Sequence, residues 1–166
     1  MLCNTIIVIE KAKLKIKGAF FMIYTEMTVK AMQCAASAHS GQIDKGGAPY
    51  IFHPFYVAEQ MHDELSTAVA LLHDVVEDTP ITIEYLSSLG FPLEVTDAVN
   101  VLTHPKGLPY KEYIERIKTN PIAVKVKMAD LKHNMDLTRI IGRELTDKDR
   151  ARVKKYADAL KYLRGF

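Results

Sequence analysis

Helix-start and helix-stop signals divide the chain from Thr25 onward, and they constrain its fold more than any other feature of the 166 residues. Side chains that can cap a first turn, among them Thr25, Ser66 and Asn120, precede segments of helical length, and Gly or Pro follows many of these segments. The predicted helices span residues 25–39, a segment opening at 53–54, 66–80, 82–88, 93–102, 110–118, 120–135, and a last segment opening at a 146–149 capping box. The sequence therefore predicts an all-α fold, irregular rather than a regular bundle.

The first 24 residues have a different pattern. TIIVIE and KLKIK alternate between apolar and polar residues in the manner of a strand. The lysines follow the apolar run at 6–9, whereas the charges of a secretory signal precede its apolar stretch. We predict a short strand-like N-terminal extension over 1–24, or a segment upstream of a start at Met22, and a single domain over 25–166.

Charge and cysteine content exclude several classes of function. The chain carries 22 basic and 20 acidic residues, a balance that does not favour nucleic-acid or membrane binding. No apolar run approaches the roughly 20 residues that span a bilayer. Two cysteines imply no disulfide framework, which favours a reducing compartment. We predict a cytoplasmic protein whose partner is a small molecule; nothing in the sequence indicates its oligomeric state.

The stretch LLHDVVEDT, residues 71–79, places four polar groups in an otherwise apolar helix. Side chains four apart share a helix face, so His73 stacks with Glu77, and Asp74 stacks with Asp78 on the adjacent stripe. Burying an ionised carboxylate costs several kcal/mol, on the order of the whole stability margin, unless a partner or metal compensates. The pattern predicts that His73 and Asp74 bind an ion beside the other two carboxylates.

Two distant residues could complete such an ion site. His53 opens a helix after the Gly/Pro-rich loop GQIDKGGAPYIF, and Asp130 lies among apolar residues in VKVKMADLKHN. With His73 and Asp74 they form a mixed nitrogen and oxygen set. Such a set suits Mn²⁺ or Fe²⁺, with Zn²⁺ or Mg²⁺ as alternatives, and without thiolates it is unlike a structural zinc site.

Taken one at a time, these residues also have ordinary interpretations. Asp130 could pair with Lys127 or Lys132, and His53 could be a polar residue near a helix N-terminus. The combination of both with the His73-Asp74 pair, in this order and in apolar contexts, is what favours a metal site.

Four motifs carry a resemblance to a known family. AHSGQ, DKGGAPYIFHP, ALLHDVVEDT and KMADLKHNM occur in this order. The order His53, His73-Asp74 and Asp130 resembles that of the HD-domain metal-dependent phosphohydrolases. The motifs are most similar to the hydrolase domain of RelA/SpoT proteins and their small stand-alone relatives. The resemblance covers roughly residues 27–135, and LLHDVVEDT is its most specific part.

The resemblance implies an all-α HD fold that binds Mn²⁺ and removes pyrophosphate from the 3′ position of guanosine alarmones. The metal ligands that it implies are His53, His73, Asp74 and Asp130. It also implies that Glu77 and Asp78 position and deprotonate the attacking water. The residues that it places against the nucleotide, or in the lining of its pocket, are Lys45, Tyr50 and Asn134.

Two residues depart from the family pattern. Asp44 and Asp136 stand where the family usually has arginine, so each reverses a charge beside a site expected to hold polyphosphate. Arg139 or Lys132 could compensate for the lost positive charge. The reversals therefore bear on the choice of substrate and not on the chemistry at phosphorus.

Alternative functions follow from these reversals. One is a phosphatase acting on another phosphorylated nucleotide, such as NADPH. Another is a catalytically silent nucleotide sensor, which the presence of both Glu77 and Asp78 disfavours. Of the other histidines, His133 is predicted to pack beside the site and His104 to lie on the surface.

Overall fold

A computed structural model describes residues 22–140 and 142–165, and all its helices and turns lie in these ranges. Here the only extended pairing is a bridge between Ile43 and Pro49. The α-helices are α1 Glu26–Ala38, α2 Phe52–Glu59, α3 Glu64–Leu72, α4 Val75–Asp78, α5 Ile83–Ser88, α6 Leu93–Leu102, α7 Tyr110–Ile117, α8 Pro121–Met135 and α9 Asp147–Arg164. The predicted all-α fold is confirmed. The strand-like pattern predicted before residue 22 lies outside the described residues, and the division at residue 24 stays a prediction.

Most of the predicted caps are present. The Thr25 side chain accepts the N–H of Thr28, and Asn120 accepts two N–H groups in the first turn of α8. Thr146 and Asp149 form the predicted capping box of α9. Each such cap stabilises a helix by about 1 kcal/mol. Local side-chain chemistry therefore determines where these helices begin.

The start of α3 was predicted wrongly. The helix is capped by Asp63, whose carboxylate accepts the N–H of Ser66 at 2.8 Å, so Ser66 lies within the first turn. An aspartate at this position both accepts a hydrogen bond and carries a charge that the positive end of the helix dipole favours. Asp63 therefore caps the helix three residues earlier than the predicted serine.

The helix predicted to continue to Pro80 is interrupted at His73 and Asp74. The helix α3 ends at Leu72, and the single turn α4 begins at Val75. The His73 Nδ1–H donates to the carbonyl of Ala70 at 2.7 Å. In a continuous helix that carbonyl would accept the main-chain N–H of Asp74. The imidazole thus replaces a helix hydrogen bond, and the chain turns at the residues that the site uses.

The core is built around α3, which packs against α1, α2, α6 and α8. Every residue from 66 to 72 is buried. Full burial of each large aliphatic side chain is worth roughly 1.5–3 kcal/mol, which helps to offset the cost of burying His73 at the end of the helix. The helix α8 also packs against α9. None of the helices in the described ranges is long and apolar enough to cross a bilayer.

Candidate metal centre and catalytic cavity

Three helical segments bring nitrogen and oxygen atoms to one buried point. Ligand atoms of His53, His73 and Asp130 all lie within 4.8 Å of one another. The Asp74 Oδ2 atom lies 3.4 Å from His53 Nε2 and 3.1 Å from His73 Nε2. The structure therefore places the four predicted metal ligands together.

The His73 ring is held with one nitrogen available. Its Nδ1–H donates to the Ala70 carbonyl, so the lone pair of the neutral ring lies on Nε2. This Nε2 atom is buried and has no hydrogen-bond partner in the described part of the chain. It nevertheless lies 3.9 Å from Asp130 Oδ1 as well as close to Asp74. A buried lone pair beside two carboxylates fits a divalent cation.

The carboxylates of this cluster favour positive charge beside them. Burial alone would lower the pKa of His73, but the carboxylates of Asp74 and Asp130 raise it to about 10. Burial also opposes ionisation of the two carboxylates, yet His73 beside Asp74 and Lys127 beside Asp130 hold their pKa values well below the usual range. A divalent cation placed between these groups would supply that positive charge and leave the imidazoles neutral.

Asp130 is held at both oxygens. The Lys127 ammonium lies 2.8 Å from Oδ2, and the Asn134 amide donates to Oδ1. Asp130 is therefore both the ion-pair partner of Lys127 and a member of the cluster of potential metal ligands. Lys132 lines a separate cavity on the other side of α8. The fixed carboxylate presents Oδ1 to His53 Nε2 at 3.1 Å.

His53 is oriented from behind by His133. The two Nδ1 atoms lie 2.6 Å apart, and the rings are stacked with centroids 4.9 Å apart. The ring of Tyr56 also stacks on the ring of His133, with centroids 4.0 Å apart. The Arg139 Nη1 atom lies 3.1 Å from His133 Nδ1. The prediction that His133 packs beside the site is confirmed.

The two proposed catalytic carboxylates face the same cavity. The Glu77 Oε2 atom accepts the main-chain N–H of His104 at 2.8 Å. The Tyr50 hydroxyl donates to Asp74 Oδ2 at 2.5 Å and also lies 3.3 Å from Asp78 Oδ2. Partial burial raises the pKa of both Glu77 and Asp78, and the nearby charge of Asp74 raises both further. Both carboxylates are therefore held close to the four clustered groups.

A cavity of about 410 Å³ opens above this cluster. Six carboxylates and four lysine or arginine side chains line it, so with neutral imidazoles the lining has an excess of two negative charges, which one divalent ion would balance. Three of the cations are paired with an aspartate: Lys127 with Asp130, Arg139 with Asp44 and Arg152 with Asp149. Lys45 lines the cavity without an acidic partner in the described ranges.

Comparison with known proteins identifies relatives of this chain. No protein-family model matches the chain. The guanosine-3′,5′-bis(diphosphate) 3′-pyrophosphohydrolase of Haemophilus influenzae is 38% identical over 135 residues, which is 73% of this chain and 20% of that protein. The bifunctional (p)ppGpp synthase/hydrolase SpoT of Escherichia coli is 33% identical over 136 residues, 73% of this chain and 19% of its own length. The chain thus spans about a fifth of the length of these curated relatives.

A solved structure extends the comparison to three dimensions. It is described as a metazoan ortholog of SpoT that hydrolyzes ppGpp and plays a role in starvation responses. It matches with a TM-score of 0.72 at 29% identity, over 87% of this chain and 89% of its own. The chain is a RelA/SpoT-type HD domain. The family resemblance seen in the motifs is confirmed.

In this RelA/SpoT-type HD domain, the three residues predicted to contact the nucleotide differ in whether their polar groups are already hydrogen-bonded. Tyr50 and Asn134 line the cavity, but the hydroxyl of Tyr50 and the amide of Asn134 already bond to Asp74 and Asp130. Lys45 is exposed and reaches the cavity from its loop. Of the three, Lys45 is the side chain best placed to receive a ligand.

One functional contact of the HD domain was missed. His104 was predicted to lie on the surface, but it is partly buried, and its ring stacks on Tyr113 with centroids 4.4 Å apart. The His104 Nε2–H donates to the Leu108 carbonyl at 2.8 Å. Its contact with Glu77 is made by a main-chain N–H. Every residue but proline has that group, so no side-chain pattern could have predicted the contact.

Proposed function

We propose that this domain is a Mn²⁺-dependent 3′-pyrophosphohydrolase of guanosine alarmones that acts in the cytoplasm. The observation that carries the proposal is the buried Nε2 of His73, which has no hydrogen-bond partner in the described residues and lies 3.1 Å from Asp74 Oδ2 and 3.9 Å from Asp130 Oδ1, two carboxylates that line the cavity. The names of several relatives state the same activity for those proteins. The low cysteine content supports the cytoplasmic location.

The residues that would hold the ion are His53, His73, Asp74 and Asp130. Two imidazoles and two carboxylates without a thiolate suit Mn²⁺, with Fe²⁺, Zn²⁺ and Mg²⁺ as alternatives to be tested. When bound, the ion supplies Lewis-acid chemistry at a phosphate oxygen and favours ionisation of water. Asn134 and Lys127 keep Asp130 in place for this role, and the Ala70 carbonyl keeps His73 in place.

Glu77 is proposed as the general base. The His104 N–H is bound at its Oε2 atom, so Oε1 is the oxygen proposed to accept a proton from the attacking water. Asp78 is proposed to orient that water. The Tyr50 hydroxyl lies between Asp74 and Asp78 and fixes the distance between the ion site and the water site. Small errors in such distances reduce rates steeply.

Lys45 is proposed to bind a phosphate group of the substrate. Its ammonium can pair with phosphate as a flexible point charge. Tyr50 and Asn134 line the pocket that would receive the nucleotide. These contacts together would place the 3′-diphosphate beside Glu77.

A second candidate is a phosphatase of another phosphorylated nucleotide, such as NADPH. The acid-rich cavity favours it, because Asp44 occupies Arg139 and Asp136 adds a carboxylate to the lining. A ligand with fewer phosphates remote from the ion would meet less repulsion here. A silent nucleotide sensor is disfavoured, because Glu77 and Asp78 both face the cavity.

A substrate panel tests these proposals. The Mn²⁺-loaded protein is incubated with guanosine alarmones, NADPH and nucleoside mono-, di- and triphosphates, and released phosphate and pyrophosphate are measured separately. Pyrophosphate release from alarmones, absent in Glu77→Gln, is the expected result. Turnover of another nucleotide without any alarmone cleavage would support the second candidate instead. Binding without cleavage of any substrate would support the sensor.

A further inference from the structure

Asp44 and Arg139, which lie 95 residues apart in sequence, join the loop of Lys45 to the turn after α8. The Arg139 Nη2 atom lies 2.5 Å from Asp44 Oδ2. The other oxygen of Asp44 accepts the N–H groups of Gly46 at 2.8 Å and Ala48 at 3.0 Å. Asp44 therefore both closes its own loop and attaches that loop to Arg139.

The main chains of these two segments are also in direct contact. A Cβ atom at Gly46 would lie 2.1 Å from the carbonyl oxygen of Arg139, far inside van der Waals contact. Only glycine allows the loop to approach this closely. This contact does not depend on charge, and it places Lys45 next to a fixed main-chain position.

The same arginine reaches the imidazole behind the metal centre. Its Nη1 atom lies 3.1 Å from His133 Nδ1 and 3.2 Å from the His133 carbonyl. A guanidinium has only donors, so His133 Nδ1 must present a lone pair to it. That lone pair also faces His53 Nδ1 at 2.6 Å, so His53 carries a proton on Nδ1. The lone pair of the neutral His53 ring then lies on Nε2, towards Asp130.

We infer that Arg139 is a positioning residue that couples the Lys45 loop to the metal ligand His53. Its guanidinium contacts the Lys45 loop through Asp44 and reaches His53 through His133. Asp44, which stands where the family usually has arginine, is then one partner of an ion pair rather than a lost phosphate contact. The effect on turnover rests on the proposed function, whereas the effect on His53 concerns metal affinity and does not.

Replacement of Arg139 by methionine separates this inference from a general loss of charge. Arg139→Met keeps an unbranched side chain but removes every donor, and Arg150→Met makes the same change at an exposed position of α9. We measure Mn²⁺ affinity by calorimetry on metal-stripped protein. We expect Arg139→Met to bind Mn²⁺ about tenfold more weakly than the native protein, and Arg150→Met to match the native protein. Unchanged affinity in Arg139→Met would overturn the His53 half of the inference.

The loop half is tested with Asp44→Asn and a steady-state assay on the best substrate of the panel. Asparagine can still accept from Gly46 and Ala48 but loses the ion pair with Arg139. We expect KM to rise several-fold with kcat nearly unchanged and Mn²⁺ affinity within about twofold of native. A native KM would overturn this half.

Two controls keep the outcomes distinct. If circular dichroism shows that Arg139→Met is unfolded, Arg139→Lys provides the test, because one ammonium cannot reach both partners. Native Mn²⁺ affinity and native KM in Arg139→Lys would overturn the inference. If the native protein cleaves no substrate of the panel, the proposed function fails, while the calorimetry still decides whether Arg139 supports His53.

Discussion

The main-chain N–H of His104 donates a 2.8 Å hydrogen bond to Oε2 of Glu77, across 27 residues of sequence. The two oxygens of the proposed base are therefore not equivalent, because only one has this main-chain donor. The loop that follows α6 determines where that carboxylate lies. The position of the base thus depends on the conformation of residues 103–109, outside every motif of the family resemblance.

Replacement of Glu77 by glutamine should show whether Glu77 acts as the general base or as a metal ligand. The amide oxygen of Glu77→Gln can still accept the His104 N–H, but the side chain cannot take up a proton. We expect native Mn²⁺ content and a turnover that falls by about a hundredfold or more. Metal content is measured by elemental analysis and turnover by product release. A collapse of metal content would show that Glu77 is a ligand, and retained turnover would leave Asp78 as the base.

His104→Ala should lower kcat because it disturbs the loop whose main-chain N–H positions Glu77. The change keeps the N–H but removes the stack on Tyr113 and the bond to Leu108, which hold the loop. We expect kcat to fall several-fold while KM stays within about twofold, because the ligand-binding side chains are untouched. His62→Ala, at an exposed histidine that does not line the catalytic cavity, is the control. The same fall in a Glu77→Gln background would contradict a role through Glu77.

Mn²⁺ should raise the melting temperature of the native protein. At a free concentration 100 times Kd, binding stabilises the fold by about 2.7 kcal/mol, which corresponds to roughly 5–10 °C for a chain of this size. His73→Ala should abolish this increase and also melt earlier without metal, because the neighbouring carboxylates lose their buried partner. Differential scanning calorimetry with and without chelator measures both effects. An equal Mn²⁺ increase in His73→Ala would exclude His73 as a ligand.

Gly46→Ala should damage the Lys45 loop. Its Cβ would overlap the Arg139 carbonyl oxygen at 2.1 Å, and the loop can relieve that only by moving away. We expect about 1–3 kcal/mol lower stability and a higher KM. Gly165→Ala is the matched control, since its Cβ would meet nothing closer than 3.7 Å. Denaturant unfolding and steady-state assays measure the two effects, and a Gly46→Ala protein equal to the control would refute the close packing.

The predictions from sequence succeeded where the determinant is local. Thr25 and Asn120 act through the next few residues, so their caps could be predicted. His73 and Asp74 could be predicted as site residues because polar groups in an apolar helix are costly. The break at those residues was missed, because it depends on whether an imidazole points back to the Ala70 carbonyl. That orientation is set by tertiary packing around α3.

Longer-range contacts could not be predicted for the same reason. Arg139 was considered as a substitute cation for the nucleotide phosphates, but most of its donor contacts go to Asp44 and His133. The sequence shows which charges are present but not which of them neutralise one another. The role expected of Asp44, a missing phosphate contact, therefore changed once its partner was known.

The surplus of carboxylates over cations in the cavity lining has a kinetic consequence. A bound divalent cation places concentrated positive charge at the base of this cavity, so a polyanion is attracted more strongly to the metal-loaded protein than to the metal-free protein. We expect ordered addition, with the cation first and the nucleotide second, and no GDP binding by calorimetry to chelator-treated protein. Product release would then leave the ion in place, so that one cation serves many turnovers.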